Sequence, residues 1–423
     1  MILPSTLNKH ILVGISGGIA AYKVCEIVST LAKAGADVRV ILTESAQEFI
    51  TPLTFATLSR HRAYTDQEFW QPTHGRPLHI QLGEWADVFL IAPLTANTLA
   101  KLASGFSDNL LTNTVLASSC PVLLAPAMNR EMWKQISVQR NWQTLFLDPR
   151  FHGIAPSDGI LACDLPATSP GNSSKQGAGR MAEPKQILAH INSLLNTKGK
   201  RDLIGKQILI SAGGTREHLD PVRFIGNPST GKMGLALVQA AIHRGASVTF
   251  VHGPMNTELV ANLPEVELVS VTSGEEMYRQ MLTGFPQADI TVMAAAVGDV
   301  KPAVYSQDKL PKALLPTELP LEPIIDIVAE LGKIKQPHQK LVGFAAQTGE
   351  IVSPAEDKLH RKNLDVIVAN PIDLPDAGFG SETNQGILLS RQGQKLEIGA
   401  CSKLNLAHQL FDFIADNRQL TDN

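Results

Sequence analysis

Two stretches of this chain, Lys9 to Leu42 and Lys206 to Val251, follow one plan. Each opens on an apolar, β-branched run, HILVGISGG in the first and QILISAGG in the second. Each then passes into an amphipathic segment, reaches Gly-Ala and closes on another apolar run, AGADVRVIL and RGASVTFV. Val24, Ile27, Val28 and Leu31 share one helical face, as do Leu235, Val238 and Ile242 in the second copy. Gly35 and Gly245 fall where a left-handed residue closes a helix. A strand, a turn, a helix and a second strand in that order make a parallel pair. A chain that does this twice is expected to fold as two doubly wound, mainly parallel-sheet α/β (Rossmann-like) domains.

The rest of the chain extends both sheets. VFLIAP and PVLLAPA follow in the first half; ITVMAAAV, LVGFAA and LDVIVANP follow in the second. Such unbroken apolar runs suit strands covered by helices on both faces. GILLS, the polar RQGQ and KLEI predict a C-terminal β-hairpin, and Leu406, Leu410, Phe413 and Ile414 stripe a closing helix. The polar stretch Asn192–Arg201 marks a boundary, giving domains 1–195 and 196–423. With 423 residues, 44% hydrophobic and 18% charged, the composition is that of a soluble globular protein. A formal charge of −3 gives no electrostatic reason to expect nucleic acid or an anionic membrane as partner. No signal peptide opens the chain, and no apolar run approaches the ~20 residues of a bilayer span. Cys25, Cys120, Cys163 and Cys401 are scattered without a C-x-x-C pair, against a disulfide framework or structural zinc and in favour of a reducing cytoplasm.

Ligands in such sheets bind beyond the carboxyl ends of the strands. There the first half carries SGGIAAYK, whose glycines lead into a helix N-terminus suited to a phosphate, although tight packing explains a Gly-Gly turn as readily. It also places Thr95, Asn97, Asp108 and Asn109 in strand-end loops, and Met128 and Asn129 directly after PVLLAPA. Asn129 either faces a ligand or caps the following helix. No G-x-G-x-x-G follows either opening strand, which argues against an NAD-dependent oxidoreductase.

SGGIAAYK, HIQLGEWAD, PLTANT, PAMNREMW and the Cys163 loop together resemble the FMN-dependent phosphopantothenoylcysteine decarboxylases, with a flavodoxin-like flavoprotein domain. The second half resembles phosphopantothenate–cysteine ligase, and the whole chain is similar to the bifunctional enzymes of coenzyme A synthesis. The resemblance implies FMN contacts at Ser16, Gly17, Gly18, Thr43, Thr95 and Asn97. It implies substrate contact at Met128, carboxylate binding by Asn129, proton handling or substrate positioning by His79, and an acid role for Cys163. His79 could equally be a strand-edge histidine paired with Trp85 or Asp87, and Cys163 a space-filling residue. Here Ala162-Cys163-Asp164 lacks the glycine usual in that family, and the insert Leu165–Gln176 reads as a mobile flap.

In the second half, Gly226–Lys232 reads G-N-P-S-T-G-K, the glycine and lysine spacing of a P-loop. Met233 replaces the expected Ser or Thr, and the lysine lies far beyond the strand end near Ser211, so a working P-loop is not expected. The ligase resemblance instead implies that Asn227 and Arg223 handle phosphopantothenate and an acyl-cytidylate made from CTP. Arg223 could equally pair with Asp220 or Glu217. Asp299, Lys309, Ile325, Asp326, Ile327, Phe344, Lys358 and Lys362 match nucleotide-binding positions, with Lys309 stabilising charge at the α-phosphate. By spacing alone, Lys358 and Lys362 read as a solvated helix face. Pro311 stiffens the loop that bears Lys309. The resemblance further implies Mg2+ or a similar divalent cation, with ligands unknown. It also implies a homo-oligomer of trimeric decarboxylase and dimeric ligase halves, possibly a dodecamer.

Overall fold

The computed structural model describes residues 6–71, 75–158, 178–261, 263, 266–312, 315, 317–373 and 380–419. It divides into two compact units between Lys200 and Arg201. The helix Pro184–Thr197 belongs to the first, so that unit keeps residues 196–200, which were expected in the second.

In the first unit six parallel strands lie in the order Ala63–Tyr64, Asp37–Leu42, His10–Ile15, Val88–Leu94, Val122–Pro126, Phe151–Gly153. All seven residues of Val88–Leu94 are buried. Alternate side chains feed two cores: Val13, Leu90 and Leu123 on one face, Leu12, Phe89 and Leu124 on the other. The helix Ala21–Lys33 buries the expected stripe of Val24, Ile27, Val28 and Leu31. Gly35 takes φ +86 just past its end, a conformation that would strain a residue bearing a Cβ.

The main sheet of the second unit has eight strands, in the order Glu267–Ser270, Ser247–His252, Gln207–Ala212, Ile290–Met293, Lys340–Gln347, Val366–Pro371, Thr383–Ser390, Lys395–Ser402. The first six are parallel; the last two form the expected hairpin and run antiparallel. The closing helix Lys403–Gln419 buries Leu406, Leu410, Phe413 and Ile414, and packs on the helix Lys232–His243.

Arg244, 2% exposed, ties these helices to the start of the unit. Its Nε donates to Asp202 at 2.8 Å, its Nη2 to Asp412 at 2.7 Å, and its Nη1 to the His408 carbonyl at 3.1 Å. Burial, with Arg244 and His243 nearby, pushes the His408 imidazole down to about 3, so it is neutral when folded. An unfolded histidine takes up a proton below about 6.5. The stability contributed by the neutral ring is therefore complete above that pH and is lost as pH falls toward 3, at up to about 1.4 kcal/mol per pH unit. Denaturant unfolding of a His408→Gln variant should show a shallower loss of stability between pH 6 and 4 than the parent; equal slopes would contradict this.

Candidate active sites

The order of the first sheet reverses between His10–Ile15 and Val88–Leu94, and a crevice opens where their carboxyl ends diverge. Ser16 is buried and braces the crevice. Its hydroxyl donates to the Pro93 carbonyl at 2.6 Å and accepts from the Thr95 amide at 3.0 Å, so it ties together the two loops that form the walls. A Cβ on Gly17 would lie 2.8 Å from the Ser45 carbonyl oxygen, which explains the glycine. A Cβ on Gly18 would meet nothing closer than Thr95 Cγ2 at 3.7 Å. Between these walls lies a cavity of about 520 Å³ bordered by Gly17, Gly18, Thr43, Thr95, Asn97 and Met128. The adjoining helix Ala21–Lys33 has no side-chain cap and no acidic residue in its first turn. Its N–H groups and dipole therefore favour an anion at this end.

Thr43 and Thr95 cap the short helices that follow them, accepting from the amides of Ala46 at 3.3 Å and Thr98 at 3.4 Å. The far rim is acidic. Asp66 accepts from the Leu110 amide at 2.7 Å, and burial raises its carboxyl above the ordinary range despite that bond. Met128 borders the cavity, and its amide donates to the Gly179 carbonyl at 3.0 Å, which docks the strand Ala178–Arg180 beside it. Asn129 does cap a helix, its Oδ1 accepting from the Glu131 amide at 2.8 Å. His79 departs from the strand-edge alternative. It lies on the helix Leu78–Trp85, edge-on to Phe69 at 5.5 Å, its Nδ1 buried with no hydrogen-bond partner among the described residues. His10 is the ring that stacks on Trp85, at 4.7 Å, and approaches Asp87. Cys163 and the insert Leu165–Gln176 lie outside the described residues.

The second sheet reverses order between Gln207–Ala212 and Ile290–Met293. A long loop leaves the first of these strands at Gly213 and returns at Gly231, where a Cβ would lie 3.5 Å from the Gly213 amide. Both glycines have positive φ, +79 and +74. Lys232 opens the helix but is turned onto the Gly380 carbonyl at 2.9 Å and the Glu382 carboxylate, so its amine is held by protein oxygens and not poised as in a P-loop.

The loop is tied to the segment that follows Ile290–Met293. Asn227 Nδ2 donates to the Val297 carbonyl at 3.2 Å, and Thr215 Oγ1 accepts from the Gly298 amide at 3.0 Å. The Ile324 amide donates to the Asp299 carbonyl at 3.0 Å, and Lys362 pairs with Asp326 at 2.8 Å. Asp326 also caps the helix Ile327–Ile334. Burial alone would raise its carboxyl, but Lys362 and the Ala329 amide bring it below the ordinary range. Lys358 lies on the helix Val352–Arg361, and the Lys362 amide donates to its carbonyl at 3.0 Å, so the i, i+4 relation extends one residue past the helix. Phe344 is half-buried on Lys340–Gln347, and Asp299, Lys309 and Ile325 are exposed. Ile327 is 3% exposed and its side chain packs in the core. Arg223 pairs with Asp220 at 2.6 Å, the alternative noted above. Sequence does not single out Thr215, Ser45 or the reach of Asp220 to the Leu310 amide, because tertiary structure alone brings those partners together. Among the described residues no three His, Cys, Asp or Glu side chains converge to hold a metal ion, and no helix is long and apolar enough to cross a membrane.

A doubly wound sheet with an anion-ready cavity at its switch point, followed in the chain by a second doubly wound sheet, defines a two-domain α/β class of protein. Residues 4–196 match the model of the Flavoprotein family, and residues 203–417 match the DNA/pantothenate metabolism flavoprotein C-terminal domain. A coenzyme A biosynthesis bifunctional protein, CoaBC, of Bacillus subtilis (strain 168) is 41% identical over 408 residues, 96% of this chain and 97% of that protein. Among solved structures, the C-terminal domain of a CoaBC protein is 31% identical, covering 53% of this chain and 100% of that one, with a TM-score of 0.43. A phosphopantothenoylcysteine (PPC) decarboxylase mutant complexed with pantothenoylaminoethenethiol is 34% identical, covering 44% and 96%, with a TM-score of 0.38. The chain belongs to the family of coenzyme A biosynthesis bifunctional proteins.

Proposed function

We propose that FMN occupies the first crevice, with Gly17, Gly18, Thr43, Thr95 and Asn97 around it and Ser16 bracing the walls from behind. The chain is a bifunctional enzyme of coenzyme A biosynthesis, combining phosphopantothenoylcysteine decarboxylase and phosphopantothenate–cysteine ligase activities. The observation that carries the flavin assignment is the uncapped, acid-free helix N-terminus beside a glycine-walled cavity, which suits a phosphate monoester. Bound FMN supplies the electron sink that lets the carboxylate of phosphopantothenoylcysteine leave as carbon dioxide. Met128 contacts the substrate, and Asn129, at the N-terminus of the helix Arg130–Lys134, binds its carboxylate. His79 positions the substrate or moves a proton through Nε2, its Nδ1 being buried. Cys163 is the acid that delivers a proton to the product.

In the second crevice, CTP activates the carboxylate of 4'-phosphopantothenate. The carboxylate oxygen attacks the α-phosphate and pyrophosphate leaves; the cysteine amine then attacks the acyl carbon and CMP leaves. Lys309, exposed on its loop, stabilises charge in the first step, while Lys358 and Lys362 face the phosphates. Asp299, Ile325, Asp326 and Phe344 border the nucleotide, with Ile327 supporting from the core, and Asn227 and Arg223 hold the phosphopantothenoyl part. Mg2+ travels with the nucleotide phosphates, the usual habit of an ion that keeps most of its waters. The protein works in the cytoplasm on small molecules, as a homo-oligomer with trimeric decarboxylase and dimeric ligase halves, in a dodecamer.

Purified protein should carry a visible flavin spectrum and release carbon dioxide from phosphopantothenoylcysteine. A Cys163→Ser variant should keep the flavin and still release carbon dioxide, yet form no 4'-phosphopantetheine. Wild-type yields from that variant would remove Cys163 from the acid role, and a protein unable to retain FMN would sink the decarboxylase assignment.

A further inference from the structure

We propose that Asp220 is a positioning residue for Lys309 in the ligation reaction, acting through the backbone of Leu310; this rests on the role given to Lys309 above. Asp220 has no solvent exposure. Its Oδ1 accepts from the amides of Val222 at 2.8 Å and Arg223 at 2.7 Å, an ordinary turn within its own loop. Its Oδ2 reaches much farther along the chain, accepting from Arg223 Nη1 at 2.6 Å and from the Leu310 amide at 3.2 Å. The same Arg223 nitrogen donates to the Leu310 carbonyl at 3.1 Å. One buried ion pair therefore holds both backbone polar groups of the residue that follows Lys309.

The other flank of Lys309 is anchored to the same loop. The Ser306 amide donates to the Leu219 carbonyl at 2.9 Å, and the Ser306 hydroxyl donates to the Asp308 carbonyl at 2.7 Å. Pro311 then fixes the backbone beyond Leu310. The exposed Lys309 side chain thus rises from a short segment fastened at both ends to residues 219–223. Burial alone would raise the Asp220 carboxyl, but the Val222, Arg223 and Leu310 amides and the Arg223 guanidinium hold it below the usual carboxylate range, so the clamp is an ionised one. A charged anchor with four donors on two oxygens allows little play, and a lysine meeting charge at phosphorus gains from that fixity.

The test is a double-mutant cycle read by pyrophosphate release from CTP, phosphopantothenate and cysteine. Lys309→Ala alone should abolish most of the rate; full activity there would overturn the Lys309 assignment, and the Asp220 role with it. Asp220→Asn alone should lower kcat about a hundredfold, the scale of a 1 Å misplacement, with the KM for CTP moving less than about threefold. In the Lys309→Ala background the same change should cost less than about threefold, since its route of action is gone. A full hundredfold loss in that background would overturn the proposal while leaving Lys309 in place. Amide exchange serves as the structural control: Leu310 should exchange faster in Asp220→Asn while Gln207–Ala212 stays protected. Wild-type release from Asp220→Asn would overturn the proposal.

Discussion

Gly17→Ala is expected to yield a colourless protein. The added methyl would sit 2.8 Å from the Ser45 carbonyl oxygen and 2.9 Å from its carbonyl carbon. Those are backbone atoms and cannot swing aside, so one wall of the crevice must move. Overpacking of this kind costs about 1–3 kcal/mol. The displaced loop is the one that leads into the anion-binding helix end, so the flavin should feel the shift most. Affinity should fall at least about a hundredfold, or ~2.7 kcal/mol. Gly18→Ala is the informative contrast. Its methyl meets no protein atom closer than 3.7 Å and would intrude on the space given to the ligand. It should weaken FMN binding with little change in unfolding midpoint. Flavin content per chain and thermal melting of both variants check the pair; a fully yellow Gly17→Ala protein would place the flavin elsewhere.

The second large effect separates the two activities. Gly332 lies inside the helix Ile327–Ile334, where alanine would ordinarily be preferred by about 1 kcal/mol. Here its Cβ would overlap the Lys362 carbonyl oxygen and lie 3.0 Å from its carbonyl carbon. The Gly332 carbonyl also accepts from Asn363 Nδ2 at 2.7 Å, so this helix rests directly on the turn carrying Lys362. Gly332→Ala should push that turn away and disrupt the 2.8 Å pair of Lys362 with Asp326. The expected result is a rise of about tenfold or more in the KM for CTP. Carbon dioxide release and bound flavin should stay at parental levels, because they belong to the other unit. Unchanged ligation kinetics would remove Lys362 from the nucleotide site.

What could be read from sequence follows a physical division. Val88–Leu94 and Ile290–Met293 announce themselves because a strand buried on both faces has no polar positions to confuse the pattern. Gly35 and Gly245 do so because positive φ selects glycine. The helix Leu78–Trp85 was less legible. Leu78, Ile80 and Leu82 alternate like a strand, while Leu78 and Leu82 also fit a helix. Tertiary contact decides: Gly83 lets the neighbouring helix Leu110–Ala117 come so close that a Cβ would be 3.0 Å from the Ala117 carbonyl carbon. Asp220 shows the limit most clearly. Its turn with Val222 and Arg223 is local and readable, but its hold on Leu310 joins positions 90 residues apart. Lys232 shows the converse, a familiar spacing whose amine is spent on Gly380 and Glu382.

The most direct test is a single incubation of the intact protein with FMN, 4'-phosphopantothenate, cysteine, CTP and magnesium, with every product identified by mass. The expected mixture is 4'-phosphopantetheine, carbon dioxide, CMP and pyrophosphate, with one nucleotide cleaved for each carboxylate lost. Unconsumed CTP, or 4'-phosphopantothenate recovered intact, would contradict a chain that makes the amide bond in one unit and removes the cysteine carboxylate in the other.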